Sequence, residues 1–482
     1  MKQTTVNRRD ASHRRSATTE STMKKLTLAL ILLTTPVRAS DGRALDAMYA
    51  DDAARIIEAA MNDEGAWKKL AHLCDRIGHR LSGSPQLEEA IDWALGEMER
   101  SGLRNVRALP VEVPHWVRGQ ESGRIVSPVE RPLHLLGLGG TVSTSPNGLR
   151  APVVVVGSFD DLEALGREKV EGRIVLFNVP FRGYGPTVRY RTEGAIRAAA
   201  LGAVGALVRS VTPVSLQTPH TGAMRYDPRY PRIPAAAVTI EDAELLQRLY
   251  DSGDPVEVEL LLSGRTLEPA RSANVVGEIV GSELPDEIVV LGGHIDSWDV
   301  GQGAHDNGAG VVVSMEAARL LIELGLRPRR TLRVVLFTNE ENGLAGSRAY
   351  REWVGDRIDL HAAAVEIDSG AERPIGFGLG EKPGDPEATR RGLDRAEAIG
   401  RLLEPVGASL IRRGGGGADI SSLMRDGVPG LGLLTVGERY FHWHHSPADT
   451  LDKVEPENLR AALAAAAVMA YVLADMPDRL FD

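Results

Sequence analysis

The chain has 482 residues, 43% of them hydrophobic and 25% charged, which is the composition of an ordinary soluble globular protein. A formal net charge of -10 argues against a nucleic-acid binder. The single cysteine, Cys74, excludes an intrachain disulfide and a cysteine-based zinc site.

From Met23, Lys24 and Lys25 lead into a short apolar stretch that ends at Val37-Arg38-Ala39. A basic region, an apolar region and a small-residue cleavage site form the pattern of a secretory signal, so residues 1–39 read as a leader. The apolar stretch is too short to span a bilayer. An export signal without disulfides predicts a periplasmic or secreted protein.

Residues 51–102 carry two helical patterns, DDAARIIEAAMNDEGAWKKLAHL and QLEEAIDWALGEMERSGL, joined by the turn-rich DRIGHRLSGS. From about 119 to 262 the texture changes to short apolar runs (APVVVVG, GRIVLFNV, GAVGALVRS, IPAAAVTI) between Gly and Pro clusters, which predicts a mostly β insert. After Ala273, strand-like and helix-like segments alternate through EIVVLGG, GAGVVVSMEAARLLIELGL, TLRVVLFTN and LHAAAVEID. That alternation predicts a doubly wound α/β fold with a mostly parallel sheet. An Ala-rich helix over roughly 456–476 reads as packed rather than membrane-spanning. The expected domains are 45–118 and 266–480, forming one α/β unit, with 119–265 inserted between them.

The chemistry collects where these strands end. His294 follows EIVVLGG, Asp306 lies twelve residues later at a helix start, Glu340 and Glu341 follow TLRVVLFTN, and Asp368 ends LHAAAVEID. The loop FHWHHSPADT adds His442, His444 and His445. Ligands of open α/β sheets bind in the crevice at the carboxyl ends of the strands, so these residues should converge. Alone, Asp306 is better read as a helix N-cap and His294 as a hydrogen-bonded core histidine. Together they suit a catalytic zinc site built from His and carboxylate ligands. Asp306, Glu341 and Asp368 carry three negative charges and a hydroxide adds a fourth, a set that two Zn²⁺ neutralise, with His294 and His445 as neutral ligands. Asp296 is placed to take the ring N–H of His294 and fix its tautomer. Glu340 is left to shuttle protons. Neighbouring side chains of an extended loop face opposite ways, so only one of His444 and His445 should face the site.

The runs RLSGS, VPHWVRGQES, PHTG, GGHIDSWDVGQGAHDNGAG, TNEENG, EIDSG and HHSPADT, between about 70 and 475, resemble the zinc aminopeptidase and glutamate carboxypeptidase family. The resemblance implies two Zn²⁺ and an exopeptidase acting on short peptides. Asp306 would bridge the metals, His294 and Asp368 would serve different ones, and Glu341 and His445 would complete the ligands. Glu340 would be the general base, acting on a metal-activated hydroxide. It also implies a protease-associated insert and a homodimer; the net charge and the short apolar stretch point to neither nucleic-acid nor membrane partners. Asn307 stands where relatives often carry a second Asp, which leaves the bridging Asp306 intact. The rival readings are another amidohydrolase or cyclase on the same scaffold, and a catalytically silent binding module.

Overall fold

A computed structural model describes residues 41–214 and 216–482; the leader and its signal reading lie outside the described residues. Two eight-stranded sheets organise the chain. The first has the strand order Arg104–Val117, Arg265–Ile279, Arg330–Phe337, Leu284–His294, His361–Glu366, Gly430–Thr435, Pro374–Leu379, Leu410–Arg413. Its four middle strands, from Arg330–Phe337 to Gly430–Thr435, run parallel. The pairing of Pro374–Leu379 with Leu410–Arg413 is also parallel and the other three are antiparallel, so the sheet is mixed with its parallel strands at the centre. The antiparallel strands come from the segment before His294 and from Pro374–Leu379, where no strand–helix alternation marked them in the sequence.

The continuous apolar run of Leu284–His294 follows from burial on both faces. Val289 and Leu291 join the large core that contains the helices Asp41–Met61, Ala309–Glu323 and Pro456–Asp475. Val290, one residue out of phase, packs with Val335, Phe337 and Tyr350 on the opposite face. Side chains of a strand alternate between faces, so one apolar run serves two cores. Pro456–Asp475 is long and apolar enough to cross a membrane, yet from Leu459 to Ala474 its apolar residues are buried inside the protein.

The chain leaves the first sheet at Val117 and returns at Arg265, two residues paired across the same ladder. Between them lies the second sheet, ordered Arg131–Leu133, Glu121–Ser127, Glu257–Leu262, Leu149–Val156, Ile174–Phe177, Gly205–Arg209, Ala235–Val238, Leu135–Gly137. This segment is α/β rather than mostly β. The strands from Leu149–Val156 to Ala235–Val238 are parallel, and the helices Phe159–Val170, Tyr184–Ala200 and Ile240–Asp251 pack with them. Parallel neighbours need crossovers, and the helices lie in the stretches that join the apolar runs.

Candidate metal centre

Three neighbouring parallel strands deliver the first groups. Leu284–His294 ends in His294, Arg330–Phe337 on one side leads to Glu340 and Glu341, and His361–Glu366 on the other leads to Asp368. Gly292 and Gly293 let the neighbours approach. A Cβ on Gly292 would stand 2.0 Å from the Val335 carbonyl oxygen, and one on Gly293 would stand 2.7 Å from that of Ile367. Asp306 sits in the turn Ala304–Gly308 that opens the helix Ala309–Glu323. Its approach is fixed by Asp449, whose carboxylate accepts the main-chain N–H of His305 at 2.8 Å and of Asp306 at 3.1 Å.

Asp306 turns its two oxygens to different histidines. Oδ1 lies 3.2 Å from His294 Nε2, and Oδ2 lies 3.2 Å from His445 Nε2. Two groups of donors therefore share one carboxylate. His294, Asp306 and Asp368 have ligand-type atoms within 4.8 Å of one another, as do Asp306, His444 and His445. Glu341 joins the second group, with Oε2 3.0 Å from His445 Nε2, while its buried Oε1 has no partner. The donor set is all imidazole and carboxylate, the chemistry that suits zinc in an open catalytic site.

This geometry revises three expectations. His294 and Asp368 belong to the same group, 3.3 Å apart, whereas Glu341 and His445 form the other pair, 3.0 Å apart. Asp296 holds His294 through its main chain: the ring Nδ1 donates to the Asp296 carbonyl at 3.0 Å and stands 3.7 Å from the nearest carboxylate oxygen. The Asp296 carboxylate instead accepts the N–H groups of Glu340 and Glu341 at 3.0 and 3.3 Å, so it positions both glutamates. His444 does not face away from His445. The two rings stack with centroids 3.5 Å apart, and His444 Nε2 lies 3.5 Å from Asp306 Oδ2. The loop is not extended there: His445 has φ 58°, in the left-handed region, and alternation of side chains fails at such a residue.

The electrostatics follow from crowding acids in a buried place. Burial, then repulsion from Asp306, pushes Glu341 up to about 7. Burial also drives Glu340 well above the carboxylate range, with Asp368 and Glu341 adding to it against the pull of His294. For His445, burial opposes the charged form, yet Glu341 and Asp306 raise it to about 9. Protons bound to the histidines thus stand in for positive charge that the acids require.

Sequence reasoning missed two supports. Arg80, in the turn-rich RLSGS connection, is fully buried and donates to the carbonyls of Gly78, Ile295, Gln302 and Gly303. It thereby holds the stretch between His294 and Asp306. The second is the PHTG run of the second sheet's segment: His220 Nδ1 donates to the His444 carbonyl at 2.6 Å, and Thr221 N–H to that of His445 at 2.9 Å. Isolated residues in loops carry no periodic signal, and only the family likeness drew attention to these runs.

Residues 274–470, which contain His294, Asp306, Glu341, Asp368, His444 and His445, match peptidase family M28. Carboxypeptidase Q of Bos taurus is 40% identical over 441 residues, covering 90% of this chain and 91% of the relative. The chain belongs to peptidase family M28. The Homo sapiens carboxypeptidase Q is equally similar, at 40% over the same shares. Among solved structures, the peptidase M28 precursor from Shewanella amazonensis superposes with a TM-score of 0.85 at 34% identity, covering 90% of this chain and 98% of that one. A zinc aminopeptidase from Bacillus subtilis shares the fold, with a TM-score of 0.65 at 21% identity over 87% of this chain and 97% of its own. This M28 metallopeptidase is a hydrolase, and its His and Asp groups are those suited to hold metal.

Proposed function

We propose that this M28 peptidase is an exported two-zinc exopeptidase that cleaves short peptides. Asp306 carries the reading, because one carboxylate shared between two donor groups is the arrangement of a co-catalytic pair. His294 and Asp368 would hold one ion, Glu341 and His445 the other, with Asp306 common to both. When bound, such ions polarise the scissile carbonyl and lower the pKa of water.

Glu340 is the group left free to move a proton. Its main-chain N–H is pinned by Asp296, and its carboxylate lies among the acids and His294 without being needed as a ligand. It takes a proton from the attacking water and passes it to the departing amine. The second sheet's segment would serve as a protease-associated cover, since it bonds to the loop that carries His445. The name carboxypeptidase Q in relatives of 40% identity supports peptide hydrolysis at a chain end. The test is elemental analysis of the purified protein together with mass spectrometry of a digested peptide library. Two zinc ions per chain and products trimmed from one terminus are expected. One ion per chain, or internal cleavage only, overturns the reading.

A further inference from the structure

The first sheet has a second opening, at the end away from the metal centre. A cleft of about 260 Å³ lies among the starts of the strands Arg104–Val117, Leu284–His294 and His361–Glu366 and the end of the helix Ala345–Val354. About 20 Å of extended strand separates Ile288, in its wall, from His294. Three guanidinium groups meet there on one indole. The central carbons of Arg107, Arg333 and Arg357 stand 4.9, 4.9 and 5.3 Å from the centroid of the Trp353 ring. They arrive on three elements: the strands Arg104–Val117 and Arg330–Phe337 and the turn Gly355–Leu360.

One buried acid answers them. Glu278 accepts from Arg333 Nε at 2.8 Å, from Arg107 Nη2 at 3.4 Å and from Asn105 Nδ2 at 2.6 Å. Arg357 donates to main-chain oxygens, those of Trp353 at 3.1 Å and Val354 at 3.4 Å, and among the described residues no carboxylate forms an ion pair with it. Asp286 is the other acid of the lining, at the exposed rim. Inside the rim, three positive charges therefore face one negative charge. Attraction to a shared ring does not cancel the repulsion among three cations. His361 feels the excess: burial first, then the charge of Arg333, holds its pKa down at about 4. The neutral ring accepts the Tyr350 hydroxyl proton at Nε2, 3.0 Å away, while the hydroxyl oxygen accepts from Arg333 Nη1 at 3.0 Å. Neither group brings the negative charge that the guanidinium groups lack.

We propose that this cleft binds a phosphate group, either free phosphate or the phosphate of a small phosphomonoester. Guanidinium forks match phosphate oxygens and hold them by charge-assisted bonds. Forks that arrive on three elements suit a tetrahedral group, whose oxygens point in several directions, better than a planar carboxylate. A phosphate near neutral pH carries about -1.5 to -2 charges, which balances the excess inside the rim. The cleft is smaller than the roughly 300–1,000 Å³ of pockets for drug-sized ligands, so the molecule it takes is small. It shares no residue with the metal centre and does not rest on the exopeptidase reading.

The test titrates inorganic phosphate, glycerol 3-phosphate and acetate into the zinc-loaded protein by calorimetry. At least one phosphate should bind about tenfold or more tightly than acetate. The double variant Arg107→Gln/Arg357→Gln should lose about tenfold or more of that affinity. It spares the buried Arg333, and phosphate held by zinc would bind it as tightly as wild type. Binding of inorganic phosphate alone identifies the free ion as the ligand, and tighter binding of glycerol 3-phosphate identifies a phosphomonoester. The His361 ring resonances, assigned by their loss in His361→Gln, should move when phosphate is added to wild type, which decides the place of binding even if the double variant fails to fold. No millimolar binding of either phosphate, full affinity in the double variant, or unmoved His361 resonances overturns the inference.

Discussion

The main-chain N–H of Thr221 donates to the carbonyl of His445 at 2.9 Å, and this bond joins the two halves of the molecule at the metal centre. It does not act alone. His220 Nδ1 donates to the carbonyl of His444 at 2.6 Å, and Thr212 Oγ1 donates to that of Phe441 at 2.7 Å. All three bonds end on main-chain oxygens, so they fix the path of the loop whatever its side chains do. The second sheet's segment therefore sets where the His445 ring stands relative to Asp306.

His220→Ala should accordingly loosen the metal centre without touching a ligand. Groups that orient metal ligands from behind typically matter by about 10- to 100-fold in metal affinity, and the low end is expected here because two other bonds remain. Competition with a zinc-binding chelator measures the loss. Zinc affinity equal to wild type in a folded His220→Ala protein would show that the loop holds its own shape.

Glu340 and Glu341 are neighbours whose N–H groups bind the same Asp296 carboxylate, yet their side chains are expected to do different work. Glu340→Gln should keep both zinc ions and lose turnover by about 10²- to 10⁴-fold, the usual range for removing a general base. Glu341→Gln should lose zinc, because its Oε2 belongs to the His445 group. Zinc content and kcat measured on both variants separate the roles; zinc lost from Glu340→Gln and kept in Glu341→Gln reverses them.

Most of this site was legible because strand ends are legible. A buried strand announces itself by an apolar run, and parallel strands place their carboxyl ends in one crevice, so His294, Glu341 and Asp368 could be brought together from spacing alone. The partition of those ligands was not legible. It depends on strand order, and the order that sets Arg330–Phe337 and His361–Glu366 on opposite sides of Leu284–His294 is a long-range fact. Conformation at single loop residues was equally hidden: nothing in FHWHHSPADT declares that His445 turns left-handed. The helices of the second sheet's segment were missed for a third reason. In GAIRAAALGAVGALVRS an Ala-rich helix end and a short strand share one composition, and only their crossover geometry tells them apart.

Removing zinc should lower thermal stability as well as activity, and by an amount that depends on pH. In the metal-free protein burial and Asp306 raise Glu341 to about 7, while Glu341 and Asp306, working against burial, raise His445 to about 9. Both folded values exceed the unfolded ones. The stabilisation they give is therefore complete below the unfolded values of 4.5 and 6.5 and is lost as pH rises through about 7 and about 9. Zinc needs the same two groups deprotonated, so its contribution grows over that window. The Tm of the zinc-loaded protein should exceed that of the metal-free protein by more at about pH 8.5 than at about pH 5.5. Calorimetric scans at the two pH values check this; a gap that is constant or shrinks with pH means that these groups are not the ligands.

His444 and His445 are the hardest pair to separate, because both rings reach Asp306 Oδ2, at 3.5 and 3.2 Å. Two observations favour His445 as the ligand. It alone also meets Glu341, at 3.0 Å, and its proton affinity is raised by the same acids a metal would use. His444 is instead enclosed by aromatic rings, with Tyr184 at 5.1 Å, Tyr440 at 5.2 Å and Phe441 at 5.3 Å, and burial holds its pKa well below the usual histidine value. It therefore acts as a neutral wall against which the His445 ring stacks. His445→Ala should drop zinc from two ions to one and abolish turnover. His444→Ala should keep two ions but bind one more weakly, because the stacked ring that holds His445 upright is gone. His444→Phe should restore that affinity, since a phenyl ring can stack but cannot ligate. Zinc content and chelator competition across the three variants decide the matter: one ion in His444→Phe with two in His445→Ala would make His444 the ligand.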